Sequence, residues 1–355
     1  MPRWGSKGAR RDPFQACFTY DSDFYHEGKC NQATVETSGC GGNSIRLDSK
    51  GARVDDDFTS DTGSGKWTVG AFLMYGMAPN KHIYHSYESF VPSLQLYQSK
   101  KDAFKQYAIP SDFYSASHAN TTIAGFGMNH GIKLLIVDPS RQTCVDNFVL
   151  VTGIGILGVG PFGPFLKEQW MSACGLSERS SYTDNSVLFY RRSPELYGNI
   201  RYITNWIDVE HSMIKKGINT HYWKMERSYE FCSQVRLAHT TPARVVVTPH
   251  GTHMIPLVML PAGSTIIEIL PRTLSAAMFC NIMQSVDVKI VSFAESGTGF
   301  YKAEHWCDTP GFFKYEASGA ALNHQLHQEL LSETIFLDSV EIQALVAVVD
   351  NLKKI

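Results

Sequence analysis

The sequence holds no C-x-x-C pair, no long apolar run and no surplus of one charge, and each absence closes off a class of function. Its eight cysteines lie far apart, which argues against a zinc ribbon or a thioredoxin-type motif. Their even number fits disulfides and free thiols equally. No stretch reaches the ~18 apolar residues that a membrane-crossing helix needs. Residues 1–14 are polar and basic and precede no apolar core of signal-peptide length. The expectation is a chain without a membrane span, in an ER or Golgi lumen if a signal or anchor lies outside it, and otherwise cytoplasmic. With 32 basic and 34 acidic residues the formal charge is -2, so there is no basic face for nucleic acid. An anionic ligand would have to be held by a few placed donors. One sequon, Asn120-Thr121-Thr122, is a pattern that chance produces often.

What is present is a core. The chain is 43% hydrophobic and 12% aromatic over 355 residues, enough for two domains of ordinary size. Residues 1–65 are rich in Gly, Ser, Asp and Thr and read as an irregular N-terminal extension. From Trp67 onward, short apolar runs alternate with helical patterns, which predicts an α/β layer fold. Met74–Tyr75, Leu134–Val137 and Phe148–Val151 read as strands, and Tyr84 to Gln98 as a helix buried through Tyr84, Tyr87, Val91 and Leu94. Pro161 and Pro164 break the pattern, so Gly163 to Arg179 reads as the link between halves. The expected domains are therefore residues 66–175 and residues 176–355. In the second, Ser186–Tyr190, Arg244–Thr248 and Thr265–Leu270 read as strands and Val209–Lys216 as a helix closed by Gly217. Asp338 with Glu341 forms a helix-start signature, followed by an apolar stripe of Ile342, Leu345, Val346, Val349 and Leu352.

Several motifs fail on their neighbours. Gly153-Ile-Gly155-Ile-Leu-Gly158 fits G-x-G-x-x-G, but Pro161 and Pro164 stand where the phosphate-binding helix should run. Gly63-Ser-Gly65-Lys66 lacks the first glycine of a phosphate loop. Asp55-Asp56-Asp57 and Asp21-Ser22-Asp23 satisfy D-x-D yet lie in the irregular extension. His250 and His253 with Glu268 could be drawn as a zinc site, but that spacing alone is weak.

The span from Val245 to Pro271 says more. A buried strand runs into Pro249-His250-Gly251, then a short apolar helix, then a second buried strand that holds Glu268. Strand, glycine turn and helix start make an anion site, with an acid placed to accept from ribose hydroxyls. An ordinary β-α-β unit with a satisfied histidine presents the same pattern, and the residues alone leave both open.

His250, Gly251, Leu260, Pro261, Ser264 and Glu268 stand at the positions of the H-G-A and P-x-S-x-x-I-E signature of glycosyltransferase family 61, which this span resembles. Leu188–Arg192 and Arg201–Asn205 resemble that family's I-x-R and R-x-I-x-N segments, and Cys144–Leu150 the strand that precedes the link between its two halves. Asn80 to Pro92, with His85, resembles its N-x-x-H-x-x-x-[DE] helix. The chain departs from the pattern in three ways: Pro256 replaces an asparagine, Ser89 replaces the acid with Glu88 one position early, and the Asn80–His85 spacing is longer by two.

The resemblance implies two Rossmann-like domains facing a cleft (the GT-B arrangement), transfer with inversion, and neither metal nor cofactor. The donor would be a nucleotide sugar, most simply a UDP-sugar, and the acceptor a glycan or glycoprotein hydroxyl. Arg191, Arg192 and Arg201 are the cationic candidates for the donor's phosphates, beside His250, Gly251 and Glu268. His85 and Glu88, three residues apart on one helix, are the candidates for the catalytic base. Asn205 reads as structural, holding the turn into the next helix. The alternative is a protein that binds nucleotide sugar or glycan without turnover.

Overall fold

Parallel pairing dominates the molecule, as strands separated by helical crossovers require. The structure, a computed structural model, describes residues 15–17, 44–48, 67–72, 83–137, 144–146, 148–152, 162–178, 186–192, 201–224, 230–270, 279–294 and 334–353. The chain divides into two compact units, residues 1–156 and 157–355, each built on a five-stranded parallel sheet. This is the mixed α/β class that the sequence predicts. Among the described residues, no helix is long and apolar enough to cross a membrane.

The first unit comprises β1 (Gln15–Cys17), β2 (Ser44–Asp48), β3 (Trp67–Phe72), α1 (Ile83–Ser99), β4 (Phe104–Pro110), α2 (Ser111–Tyr114), α3 (Ser117–His130), β5 (Leu134–Val137), β6 (Cys144–Asp146) and β7 (Phe148–Thr152). Its sheet runs β2-β7-β3-β4-β5, and β1 pairs antiparallel with β6. Helix α1 lies on β3 and β7 and buries Tyr87, Val91 and Leu94 of the predicted stripe, whose fourth side chain, Tyr84, lies outside the described residues. Two strands, β1 and β2, come from the segment read as an irregular extension. Three and five residues between Gly- and Asp-rich stretches are too short to show a period. Met74–Tyr75, Gly153–Gly158 and the D-x-D triplets lie outside the described residues.

The second unit comprises α4 (Gly163–Ala173), β8 (Val187–Arg191), α5 (Trp206–Lys215), β9 (Thr220–Lys224), α6 (Phe231–Thr240), β10 (Val245–Pro249), a 3-10 helix (Thr252–Met259), β11 (Thr265–Leu270), α7 (Cys280–Gln284), β12 (Lys289–Ala294) and α8 (Ser339–Leu352). The sheet order is β12-β11-β10-β8-β9. Strands β10 and β11 are buried along their whole length, which is why they read as unbroken β-branched runs. Gly217 ends α5 with φ of 72°, a left-handed cap that costs glycine nothing.

Helix α8 closes this unit. Asp338 and Glu341 form the capping box, and Ile342, Leu345, Val346 and Val349 join the core around Trp206, Val245 and Ile267. The chain before α8 is docked by Asn205, whose Nδ2 donates to the Leu337 carbonyl at 2.6 Å while its Oδ1 accepts from the Leu337 amide at 3.1 Å. Asn205 is thus structural, as expected, but its side chain holds the approach to α8 and does not cap α5, whose first turn bonds only to its carbonyl.

The segment read as a link, Gly163 to Arg179, begins with a helix instead. Pro164 sits in the first turn of α4, where a missing N–H costs nothing and a fixed φ helps. Helix α4 packs within the second unit, with Trp170 edge-on to Phe231 and a disulfide from Cys174 to Cys232.

Candidate functional site

In the second sheet the chain leaves β8 for its neighbour β9 on one side and then crosses to β10 on the other. At such a reversal the connections part, and a crevice opens beyond the carboxyl ends of the two central strands. The residues at those ends are Arg191, the last of β8, with Arg192 after it, and His250 and Gly251 after β10.

Alternation along the strands decides which side chains meet. Val187 and Phe189 of β8 share a core with Val245, Val247, Ile267 and Ile269, on the face covered by α5 and α8. Arg191 has the same parity and lands there: its Nη2 lies 3.7 Å from Glu210, and its guanidinium stands 4.1 Å from the Tyr222 ring and 5.5 Å from that of Trp206. Arg192 has the opposite parity, shared with Thr248 and His250. Its Nη1 donates to the His250 carbonyl at 3.3 Å.

Around Arg192 a buried polar cluster forms. The amide of His250 donates to the Ile269 carbonyl, which extends the β10–β11 pairing past the strand and fixes the ring's position. His250 Nδ1–H donates to Glu268 Oε1 at 2.5 Å, with both side chains buried. Glu268, expected to accept from ribose hydroxyls, has this oxygen committed to the imidazole. It also lies inside β11, opposite Thr248, and not at the strand's end. Orienting the ring through Nδ1 leaves Nε2 as its working edge.

His253 serves a different partner. Its Nε2 is hydrogen-bonded to Thr248 Oγ1 at 2.8 Å, and its ring meets Tyr190 edge-on. Burial, and then the charges of Arg192, Arg201 and His250, push its pKa well below 6.5, so it is neutral. The zinc arrangement drawn from the spacing does not form. Among the described residues, no group of three or more His, Cys, Asp or Glu is placed to hold a metal ion.

Gly251 makes the cluster possible. A Cβ at this position would stand 2.7 Å from His253 Nδ1 and 3.1 Å from Arg192 Nη1. Only glycine lets the backbone pass so close to both groups.

Arg201 joins the same electrostatic environment. Burial first, and then the charge of Arg192, lower its pKa to about 9 against the opposing pull of Glu268. Its Nε is buried without a hydrogen-bond partner among the described residues, and its φ of 52° is a conformation non-glycine residues rarely adopt. Arg201 thus feels both the charge of Arg192 and that of Glu268, the carboxylate that also holds His250. Buried guanidiniums of this kind are suited to an anionic ligand.

The structure therefore brings together Arg192, Arg201, His250, Gly251 and Glu268, and it places Arg191 on the α5 face. His85 and Glu88 are both on α1, but their side chains lie outside the described residues. Sequence reasoning missed Thr248 and the structural task of His253. It also treated Arg191 and Arg192 as one unit, although strand parity was available to separate them.

A family model described as Glycosyltransferase 61 matches residues 78–267, more than half of the chain and the whole stretch from α1 into β11. No curated protein matches the chain by sequence.

Proposed function

Because the chain belongs to glycosyltransferase family 61, we propose that it moves a sugar from a nucleotide-sugar donor, read here as a UDP-sugar, to a glycan or protein hydroxyl with inversion. The observation that carries the donor half is the pairing of Arg192 and Arg201 beside His250, Gly251 and Glu268 at the reversal of strand order. Breaking the glycosidic bond leaves negative charge on the departing diphosphate. Fixed donors in a buried site stabilise that charge without reorganising as it develops. Arg192 and Arg201 supply the guanidiniums, and Glu268 holds the His250 ring so that Nε2 faces the ligand.

Inversion requires a single displacement, with the acceptor oxygen attacking the anomeric carbon as the diphosphate leaves. The acceptor's proton must go to a base, and His85 or Glu88 on α1 is our assignment. The GT-B arrangement and independence of metal belong to the same proposal, the guanidiniums taking the role that a cation serves elsewhere. A second reading, binding without turnover, is favoured by Ser89 in place of an acid on α1 and by Pro256 inside the 3-10 helix.

The test is release of nucleoside diphosphate from a panel of nucleotide sugars, with and without acceptor glycans and with and without EDTA. We expect one donor class to be turned over, unaffected by EDTA. A donor that binds but is never cleaved across the panel would establish the binding protein instead. Loss with EDTA and recovery with manganese would overturn the metal-free step.

A further inference from the structure

The transfer chemistry does not use the sequon Asn120-Thr121-Thr122, the chain's only N-x-[ST] triplet. Its position in the fold is specific. Asn120 and Ser117 are exposed on α3, and Met128 further along the same helix is 68% exposed. The opposite side of the helix buries His118, Ala119, Thr122, Ile123 and Phe126. The acceptor nitrogen therefore belongs to a side chain directed to solvent on an ordered element.

A second observation is independent of the first. Cys174 and Cys232, 58 residues apart, form a disulfide that ties α4 to α6, and Cys280 is disulfide-bonded as well. Bonds of this kind persist in oxidising compartments and are kept reduced in the cytosol. The compartment that closes these disulfides in a eukaryotic cell is also the one where asparagine sequons are modified.

We propose that Asn120 carries an N-linked glycan, added while the chain enters an oxidising secretory lumen. In the reaction, Asn120 Nδ2 bonds to the anomeric carbon of a lipid diphosphate-linked oligosaccharide. The bond from that carbon to the diphosphate oxygen breaks, the lipid diphosphate leaves with the electron pair, and one amide proton is lost to a base.

The fold also fixes when this happens. The Thr122 hydroxyl, which an acceptor sequon must present alongside its asparagine, is fully buried. It donates to the His118 carbonyl at 2.8 Å and lies 3.2 Å from the Tyr87 hydroxyl. Once α3 packs, the threonine is out of reach, so addition precedes the folding of this unit. The packed helix then presents the glycan outward.

The experiment expresses the full chain behind a cleavable secretion leader in eukaryotic cells, with a known acceptor sequon appended at its end to report entry. Amidase digestion and peptide mapping should find Asn120 converted to Asp and Cys174 joined to Cys232. Asn120→Gln should lose one glycan step on a gel and keep the one on the tag, whereas Thr122→Ser should retain both. Bacterially made protein offered to microsomes should be modified at Asn120 only when unfolded. A secreted chain with a glycosylated tag but a bare Asn120 would overturn the proposal, as would free thiols at Cys174 and Cys232. Either result leaves the donor-site reading untouched.

Discussion

Gly251 and Arg201 are the residues at which the site's demands on the backbone are most exposed. At Gly251 one methyl group would collide with His253 and crowd Arg192. Gly251→Ala should therefore cost ~1–3 kcal/mol of stability, as overpacking does. It should also weaken binding of a nucleoside diphosphate by at least about tenfold, or ~1.4 kcal/mol. Calorimetry and thermal unfolding on the same sample check both. Arg201 combines a buried guanidinium with a left-handed backbone. Arg201→Gly removes both, so it should raise stability by about 1 kcal/mol while losing nucleotide affinity. A variant that gained affinity would show that Arg201 serves the fold and not the ligand. Of these two residues, the sequence revealed Gly251 through its place after a buried strand. It revealed nothing of Arg201's backbone, because no local signal predicts a left-handed arginine.

Elements were legible where the period was long and the ends were marked. Helix α8 shows both, through the stripe from Ile342 to Val349 and the Asp338–Glu341 cap, in which Asp338 Oδ1 accepts from the amides of Val340 and Glu341. Asp338→Ala should cost ~0.5–2 kcal/mol in a denaturant titration, with activity per folded molecule unchanged. Helix α4 is hidden in the sequence because Pro161 and Pro164 look like breakers, although a proline in the first turn starts a helix as readily as it stops one. Strand β2 was illegible because pairing with β7, and not its own five residues, makes it a strand. Helix α3 makes a pH prediction. Burial lowers the pKa of His118 to about 3, from 6.5 in the unfolded chain, so the unfolded state takes the proton first. The stability this burial confers is complete above pH 6.5 and declines as pH falls toward 3. His253, lowered for the reasons given above, adds to the same slope. Unfolding temperatures measured from pH 7 to pH 4 should fall, and His118→Gln should flatten the decline. An identical slope in that variant would assign the acid sensitivity elsewhere.

For the molecule as a whole, a formal charge of -2 conceals a buried site where Arg192 and Arg201 stand near Glu268 and His250. Composition excluded a broad basic field, and it could not show two arginines converging from the end of β8 and the turn before α5. The meeting of Arg192 with His250 follows from the strand order, which sets β8 beside β10 and carries the residues after each to one edge of the sheet. The central claim is that this edge holds the donor's diphosphate. Titration of UDP and of uridine into the purified chain, followed by calorimetry, tests it most directly. UDP should bind far more tightly than uridine. Replacing Arg192 and Arg201 together by glutamine should cost at least about tenfold in UDP affinity, given ~1.5–3 kcal/mol for a hydrogen bond to a charged group. Arg191→Gln should leave that affinity in place. Undiminished UDP binding in a folded Arg192→Gln, Arg201→Gln double variant, or uridine binding as tightly as UDP, would contradict the account.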